Sequence, residues 1–206
     1  DLMLTLPPFL TAATGMDALS HLVEAFVSTA NNTPALDGLI LRGIELIRRN
    51  LPDVIGDGSI RAARLALAEA AMLGGMAIAS NYLGACHSLA HQLSTVAGMH
   101  HGHACGLLLP FQMEFSLPGA LPRYAQIGVA LGAPADGDVE AQADFAVQAV
   151  HRLMAGSGLP ARLRAAGVGG ALLPELASLA YKDLNWQTNP ILVTESDLES
   201  IYRAAL

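Results

Sequence analysis

Charge is scarce in this 206-residue chain: charged residues make up 14% of it, against about 25% in an ordinary soluble domain. Its 11 basic and 18 acidic residues give a net charge of −7, which excludes the basic footprint that nucleic acid or an anionic membrane surface requires. Aromatic residues are only 5%, and the apolar excess is carried by Ala, Leu and Gly, a composition that favours helices over sheets. Two cysteines, Cys86 and Cys105, allow neither a disulfide framework nor a thiolate-rich zinc site. Every apolar stretch is broken by Arg, Glu, Asp, His or Pro within a few positions, so no membrane span is expected. The start, Asp1-Leu2-Met3-Leu4-Thr5-Leu6, has no basic segment before its apolar residues and does not read as a signal peptide. A cytoplasmic protein with reduced thiols is the expectation. Also missing are a G-x-G-x-x-G segment after a strand, a phosphate-binding Walker A loop and any alternating strand-helix pattern. Nothing in the chain could cradle a dinucleotide pyrophosphate by itself.

What is present is apolar and periodic. With 52% hydrophobic residues, the chain is too apolar for disorder, and part of its surface is expected to be covered. Thr14-Gly15-Met16-Asp17 reads as a capped helix start, followed by an apolar stripe at Leu19, Leu22, Val23 and Phe26 to about Thr29. Thr33 and Pro34 start a second helix that Leu51-Pro52 is expected to close. Ser59 to Ser80 is Ala-rich, with small residues at Ala63, Ala66, Ala70 and Gly74 suited to close helix packing. Further helices are expected at Ala85 to Val96, from Gly102 to Glu114 with a bend near Pro110, and at 121–131, 139–155 and 160–166. Thr194 and Asp197 form a capping pattern for a last helix with Leu198, Ile201, Tyr202 and Ala205 on one face. The chain is therefore expected to be all-α, one helical domain over 1–206, with Gly132 to Gly137 as its softest stretch.

Five of the seven histidines, His87, His91, His100, His101 and His103, crowd together, while His21 stands four residues after Asp17. Residues four apart share a helix face, so Asp17 with His21 and His87 with His91 can each present two donors, and His101 at the next helix start could close the site. One carboxylate and several imidazoles suit Zn, Fe(II), Ni or Mn. His87-Ser88-Leu89-Ala90-His91 has metalloprotease spacing, but Ser88 stands where that chemistry needs a Glu, which excludes it. Each residue has a plainer reading. Asp17 could be a capping carboxylate, His21 a satisfied core histidine or an exposed one, His100, His101 and His103 part of a helix-start loop, and His151 a surface residue. Glu24 reads as solvent-facing, a helix-helix partner or a carboxylate behind a ligand, and Cys86 and Cys105 as small buried apolar residues. Taken together, those readings require several independent coincidences in a charge-poor chain.

In order along the chain, Thr14-Gly15-Met16-Asp17 to His21 and Glu24, Cys86-His87-Ser88-Leu89-Ala90-His91-Gln92, His101-Gly102 running to Pro110, Thr188-Asn189-Pro190 and Val193 to Arg203 resemble the successive motifs of the iron-containing (group III) alcohol dehydrogenases. The resemblance implies a dehydroquinate synthase-like fold, of which this chain is the C-terminal helical domain. The family's N-terminal Rossmann-like NAD(P)-binding domain, with its glycine-rich pyrophosphate segment, is absent from the sequence. It implies Asp17, His21, His87 and His101 as metal ligands, Fe(II) as the ion with Zn(II) as the alternative, and His91 near the nicotinamide and substrate as a relay for the alcohol proton. The implied substrate is a small primary alcohol or its aldehyde, the implied partner the nucleotide-binding domain, and the family often dimerises. The chain alone is expected to be inactive for want of that domain. Two other readings stay open: a metal-dependent hydrolase on a helical scaffold, although the His-Asp dipeptide of one such class does not occur, and a helical module without catalytic role.

Overall fold

A computed structural model describes residues 2–206 and holds only helices and loops among them. Asp1, the first residue of the segment read above for a leader, lies outside the described residues. The helices are α1 (Pro8–Val27), α2 (Pro34–Gly56), α3 (Arg61–Asn81), α4 (Ala85–Ala97), α5 (His101–Ser116), α6 (Leu121–Ala130), α7 (Val139–Gly156), α8 (Leu173–Lys182) and α9 (Glu195–Ala205). Short 3-10 turns lie at Leu117–Gly119, Gly170–Leu172 and Leu184–Thr188. The all-α expectation holds.

The central element is α1, apolar nearly all round, with α2, α3 and α5 packed on it. Leu19, Leu22, Val23 and Phe26 are fully buried there, as the apolar stripe requires. The helix begins earlier than its Thr14 pattern suggests. Pro8 takes the first helical turn, where a missing N–H costs nothing, and Thr14 lies inside the helix with its hydroxyl donating to the Leu10 carbonyl at 2.7 Å. In α2, Thr33 accepts from the Leu36 amide as expected, but Leu51-Pro52 does not close the helix, which continues through Pro52 to Gly56. Leu51 and Val54 on either side of it are buried, so apolar burial outweighs the proline penalty.

By length and composition α3 is the one helix among the described residues that could cross a membrane. Its Arg64, however, is buried and donates to the Gly58 carbonyl, the Thr11 hydroxyl and the Leu6 carbonyl, tying the helix to the start of α1, while Leu65, Met72 and Met76 are exposed.

Residues 160–166 form a turn rather than the expected helix, since Leu163 donates its amide to Ala205 at the end of α9. The segment after it holds α8, a helix beyond those expected from the sequence. Thr194 and Asp197 make a reciprocal capping box at the start of α9, an arrangement that stabilises a helix start by about 1 kcal/mol.

Two glycines of α5 set the separation between α1 and α5. A Cβ on Gly102 would lie 2.4 Å from the Ala13 carbonyl oxygen and 3.1 Å from the Asp17 Cβ, and one on Gly106 would lie 2.6 Å from the Met16 Cβ. Only a bare α-carbon at both positions lets α5 approach α1 this closely. That approach brings the first turn of α5 against Asp17.

Candidate metal centre

Asp17 and His21 lie one turn apart on α1, His87 in the first turn of α4, and His101 at the first residue of α5. The fold brings all four together. His21 Nε2 lies 3.5 Å from Asp17 Oδ1, His101 Nε2 also 3.5 Å, and His87 Nε2 3.7 Å. The rings of His21 and His87 stack with centroids 5.0 Å apart, and His87 and His101 are 5.4 Å apart. Asp17 Oδ1 is buried and accepts no hydrogen bond. A buried acceptor left unpaired costs about 1–3 kcal/mol and is uncommon, and a cation coordinated by the surrounding nitrogens would satisfy it. The residues present fit a divalent metal.

Glu24, one turn beyond His21, is not solvent-facing. It is buried, its Oε2 lies 2.5 Å from His87 Nδ1, and its Oε1 accepts the Cys86 amide at 2.7 Å. A carboxylate at the start of α4 meets the free amides and positive dipole end of that helix. It also accepts a hydrogen bond from Nδ1–H of His87, leaving Nε2 directed at Asp17, the carboxylate-histidine arrangement usual behind metal ligands. Gly84 makes room for it, since a Cβ there would lie 2.7 Å from Glu24 Oε1.

Cys86 and Cys105 are fully buried, as expected of small apolar residues. Cys105 does more than fill space. Its sulfur lies 3.6 Å from His101 Nε2 and 3.7 Å from His87 Nε2, and ligand atoms of Asp17, His87, His101 and Cys105 all fall within 4.8 Å of one another.

His91 stands at the edge of this group, its ring stacked on His101 at 5.4 Å and edge-on to His87 at 5.8 Å. Its Nδ1 is held by Asp183 Oδ2 at 2.6 Å, and Asp183 is itself fixed by Asn185 through its other oxygen. Asp183 went unnoticed in the sequence because nothing local marks a residue that far along the chain as a partner of α4. The remaining histidines serve elsewhere: His103 pairs with the Pro160 carbonyl, His151 with Glu114, and His100 packs on Phe9. The Asn189 side chain of the Thr188-Asn189-Pro190 segment is buried and bonded to Gln112 and Ser116, which fastens that segment to α5.

The charges follow from this geometry. Burial works against the Asp17 carboxylate, but the imidazoles of His87, His21 and His101 hold its pKa below the usual carboxylate range. Burial, aided by neighbouring imidazoles, pushes His21 and His101 down despite the pull of Asp17, which keeps both neutral and able to coordinate. His87 goes the other way. Burial opposes its charge, yet Glu24, Cys105 and Asp17 together raise its pKa well above the ordinary value.

Comparison with known proteins gives the family. Residues 11–206 match the family model described as the Fe-containing alcohol dehydrogenase family, C-terminal. The 1,3-propanediol dehydrogenase of Citrobacter freundii is 40% identical over 205 residues, covering 99% of this chain and 53% of that protein. Alcohol dehydrogenase 4 of Saccharomyces cerevisiae (strain ATCC 204508 / S288c) is 37% identical, covering 98% of this chain and 52% of that protein. The crystal structure of a 1,3-propanediol oxidoreductase superposes with a TM-score of 0.96 at 38% identity, over 100% of this chain and 54% of that one. An alcohol dehydrogenase from Oenococcus oeni does so with a TM-score of 0.95 at 34% identity, again over 100% of this chain and 54% of that one. The chain thus spans about half the length of the curated relatives it matches. On the family match and the whole-chain superpositions together, the chain belongs to the iron-containing alcohol dehydrogenase family and corresponds to its C-terminal helical portion.

Proposed function

We propose that residues 1–206 are the metal-binding helical domain of an NAD(P)-dependent dehydrogenase that interconverts a small primary alcohol and its aldehyde, nucleotide binding being the task of a separate N-terminal Rossmann-like domain. The observation that carries this reading is Asp17 Oδ1, buried, without a hydrogen-bond partner, and approached by three imidazole nitrogens at 3.5–3.7 Å. Asp17, His21, His87 and His101 would hold Fe(II), with Zn(II) as the alternative. When bound, such an ion supplies Lewis acidity toward the oxygen of an alcohol or carbonyl.

The chain's own residues do the rest. Glu24 accepts the hydrogen bond from Nδ1–H of His87 and so presents its Nε2 lone pair to a metal. Asp183 likewise accepts the hydrogen bond from Nδ1–H of His91, leaving Nε2 free to accept the substrate hydroxyl proton and to return it in the reverse direction. The His91 side chain is 37% exposed, enough to meet both a nicotinamide presented by another domain and the solvent that takes the proton on. On this reading the 206 residues alone bind metal but transfer no hydride. Buried free thiols at Cys86 and Cys105 suit a reducing cytoplasm. The names of the relatives, 1,3-propanediol and alcohol dehydrogenases, support a small alcohol as substrate.

The test is anaerobic removal and restoration of the ion. Chelation should lower the melting temperature, and Fe(II) or Zn(II) at about a hundred times its Kd should return about 2.7 kcal/mol of stability. Joined to a nucleotide-binding domain, the restored chain should reduce NAD(P) with short primary alcohols. A melting curve indifferent to every divalent ion would refute the reading.

A further inference from the structure

The Cys105 thiol is not accounted for by the four-ligand reading. It lies one helical turn beyond His101 on α5, so the two side chains share a face. Its sulfur meets two of the three nitrogens that meet Asp17. His87 Nε2 is 3.7 Å from both Cys105 Sγ and Asp17 Oδ1, and His101 Nε2 is 3.6 Å from the sulfur and 3.5 Å from the oxygen. A thiol has one proton and can satisfy only one of those nitrogens, whereas a sulfur facing two donors and an unpaired carboxylate oxygen surrounds a common point. With zinc-like bonds of about 2.3 Å to sulfur and about 2.0–2.1 Å to nitrogen, tetrahedral angles place the two donor atoms about 3.6 Å apart. Both sulfur-nitrogen distances fall on that edge length. His21 lies outside the group of ligand atoms within 4.8 Å of one another, which Cys105 completes.

We propose that Cys105 is a further metal ligand of this centre and selects for thiophilic divalent ions, joining Asp17, His87 and His101 for Co(II) or Cd(II), while His21 completes the set named above for Fe(II) and Zn(II). The proposal rests on the metal reading above and goes beyond it in naming a sulfur donor. On binding, the sulfur-metal bond forms as the thiol proton leaves to solvent, with no change of oxidation state. Sulfur raises affinity for softer ions and does little for Mn(II).

Cobalt(II) reports both halves of the claim in one spectrum. The Co(II)-loaded chain should show visible d-d bands together with a near-ultraviolet sulfur-to-cobalt charge-transfer band. Cys105→Ser should keep the d-d bands and lose the charge-transfer band, and Cys86→Ala should keep both. Cys105→Ser should also lower Cd(II) affinity by at least about tenfold while leaving Mn(II) affinity near its original value. In the unmutated chain, d-d bands without charge transfer would overturn the sulfur ligand and leave the metal centre standing, whereas failure to bind Co(II) at all would overturn both. A charge-transfer band that disappears in Cys86→Ala and survives in Cys105→Ser would assign the sulfur to the wrong residue and overturn the proposal.

Discussion

Glu24 Oε2 lies 2.5 Å from His87 Nδ1 while its Oε1 accepts the Cys86 amide at 2.7 Å, so one buried carboxylate both anchors the start of α4 and orients the histidine that α4 contributes to the proposed metal centre. Glu24→Gln keeps the shape but loses the charge. It should weaken metal binding by about 10- to 100-fold, read by competition with a chelator of known affinity. An unchanged affinity would mean that His87 needs no orientation from behind.

His87 also sets the pH dependence of metal uptake. Its raised pKa, the result of Glu24, Cys105 and Asp17 overcoming burial, leaves it protonated in the metal-free chain at pH values where a free imidazole is neutral. Coordination requires that proton to leave, so affinity should rise with pH. In the metal-free chain the sign is opposite. A raised folded-state pKa gives a stabilising contribution that is complete below the ordinary imidazole value and is lost as pH climbs through the folded one. Titration calorimetry in two buffers of different ionisation enthalpy should therefore record proton release on metal binding, larger at pH 7 than at high pH.

Gly102→Ala tests the close approach of α5 to α1. The new Cβ would meet the Ala13 carbonyl at 2.4 Å, a backbone atom that cannot swing aside. The expected cost is about 1–3 kcal/mol, measured by urea unfolding of the metal-free chain, with weaker metal binding because His101 moves with its helix.

His91→Ala should leave metal content unchanged. In the dehydrogenase assembled with a nucleotide-binding domain it should lower kcat by about 10²-fold or more. Asp183→Asn, which keeps the hydrogen bond but removes the charge behind His91, should give a smaller loss in the same direction. Loss of metal from His91→Ala would make it a ligand instead of a proton relay.

The sequence announces the parts of this molecule that depend on near neighbours. Thr33 with Pro34 and Thr194 with Asp197 cap their helices as their spacing suggests, and the stripe of α1 is buried where its period requires. Thr14 and Asp17 mislead because the same spacing that makes a capping box also occurs inside a helix already started by Pro8. Pro52 misleads because burial of Leu51 and Val54 carries α2 past it. At the site, the four histidines and Asp17 stand out by clustering and helical spacing, and Glu24 by its place one turn beyond His21, where a carboxylate behind a ligand is one of its readings, but the contacts of Cys105 and Asp183 do not. Their roles exist only after α1, α4, α5 and the turn following α8 have packed, since Asp183 meets His91 from 92 residues away.

The central claim is that Asp17 and His87 belong to one metal centre, and metal content tests it most directly. The chain, purified anaerobically without a metal-affinity tag and analysed by plasma mass spectrometry, should carry about one equivalent of Fe or Zn. The Asp17→Ala, His87→Ala double variant, shown by circular dichroism to keep its helices, should carry none. Equal metal in the two proteins, or none in either after reconstitution with Fe(II) or Zn(II), would contradict the claim.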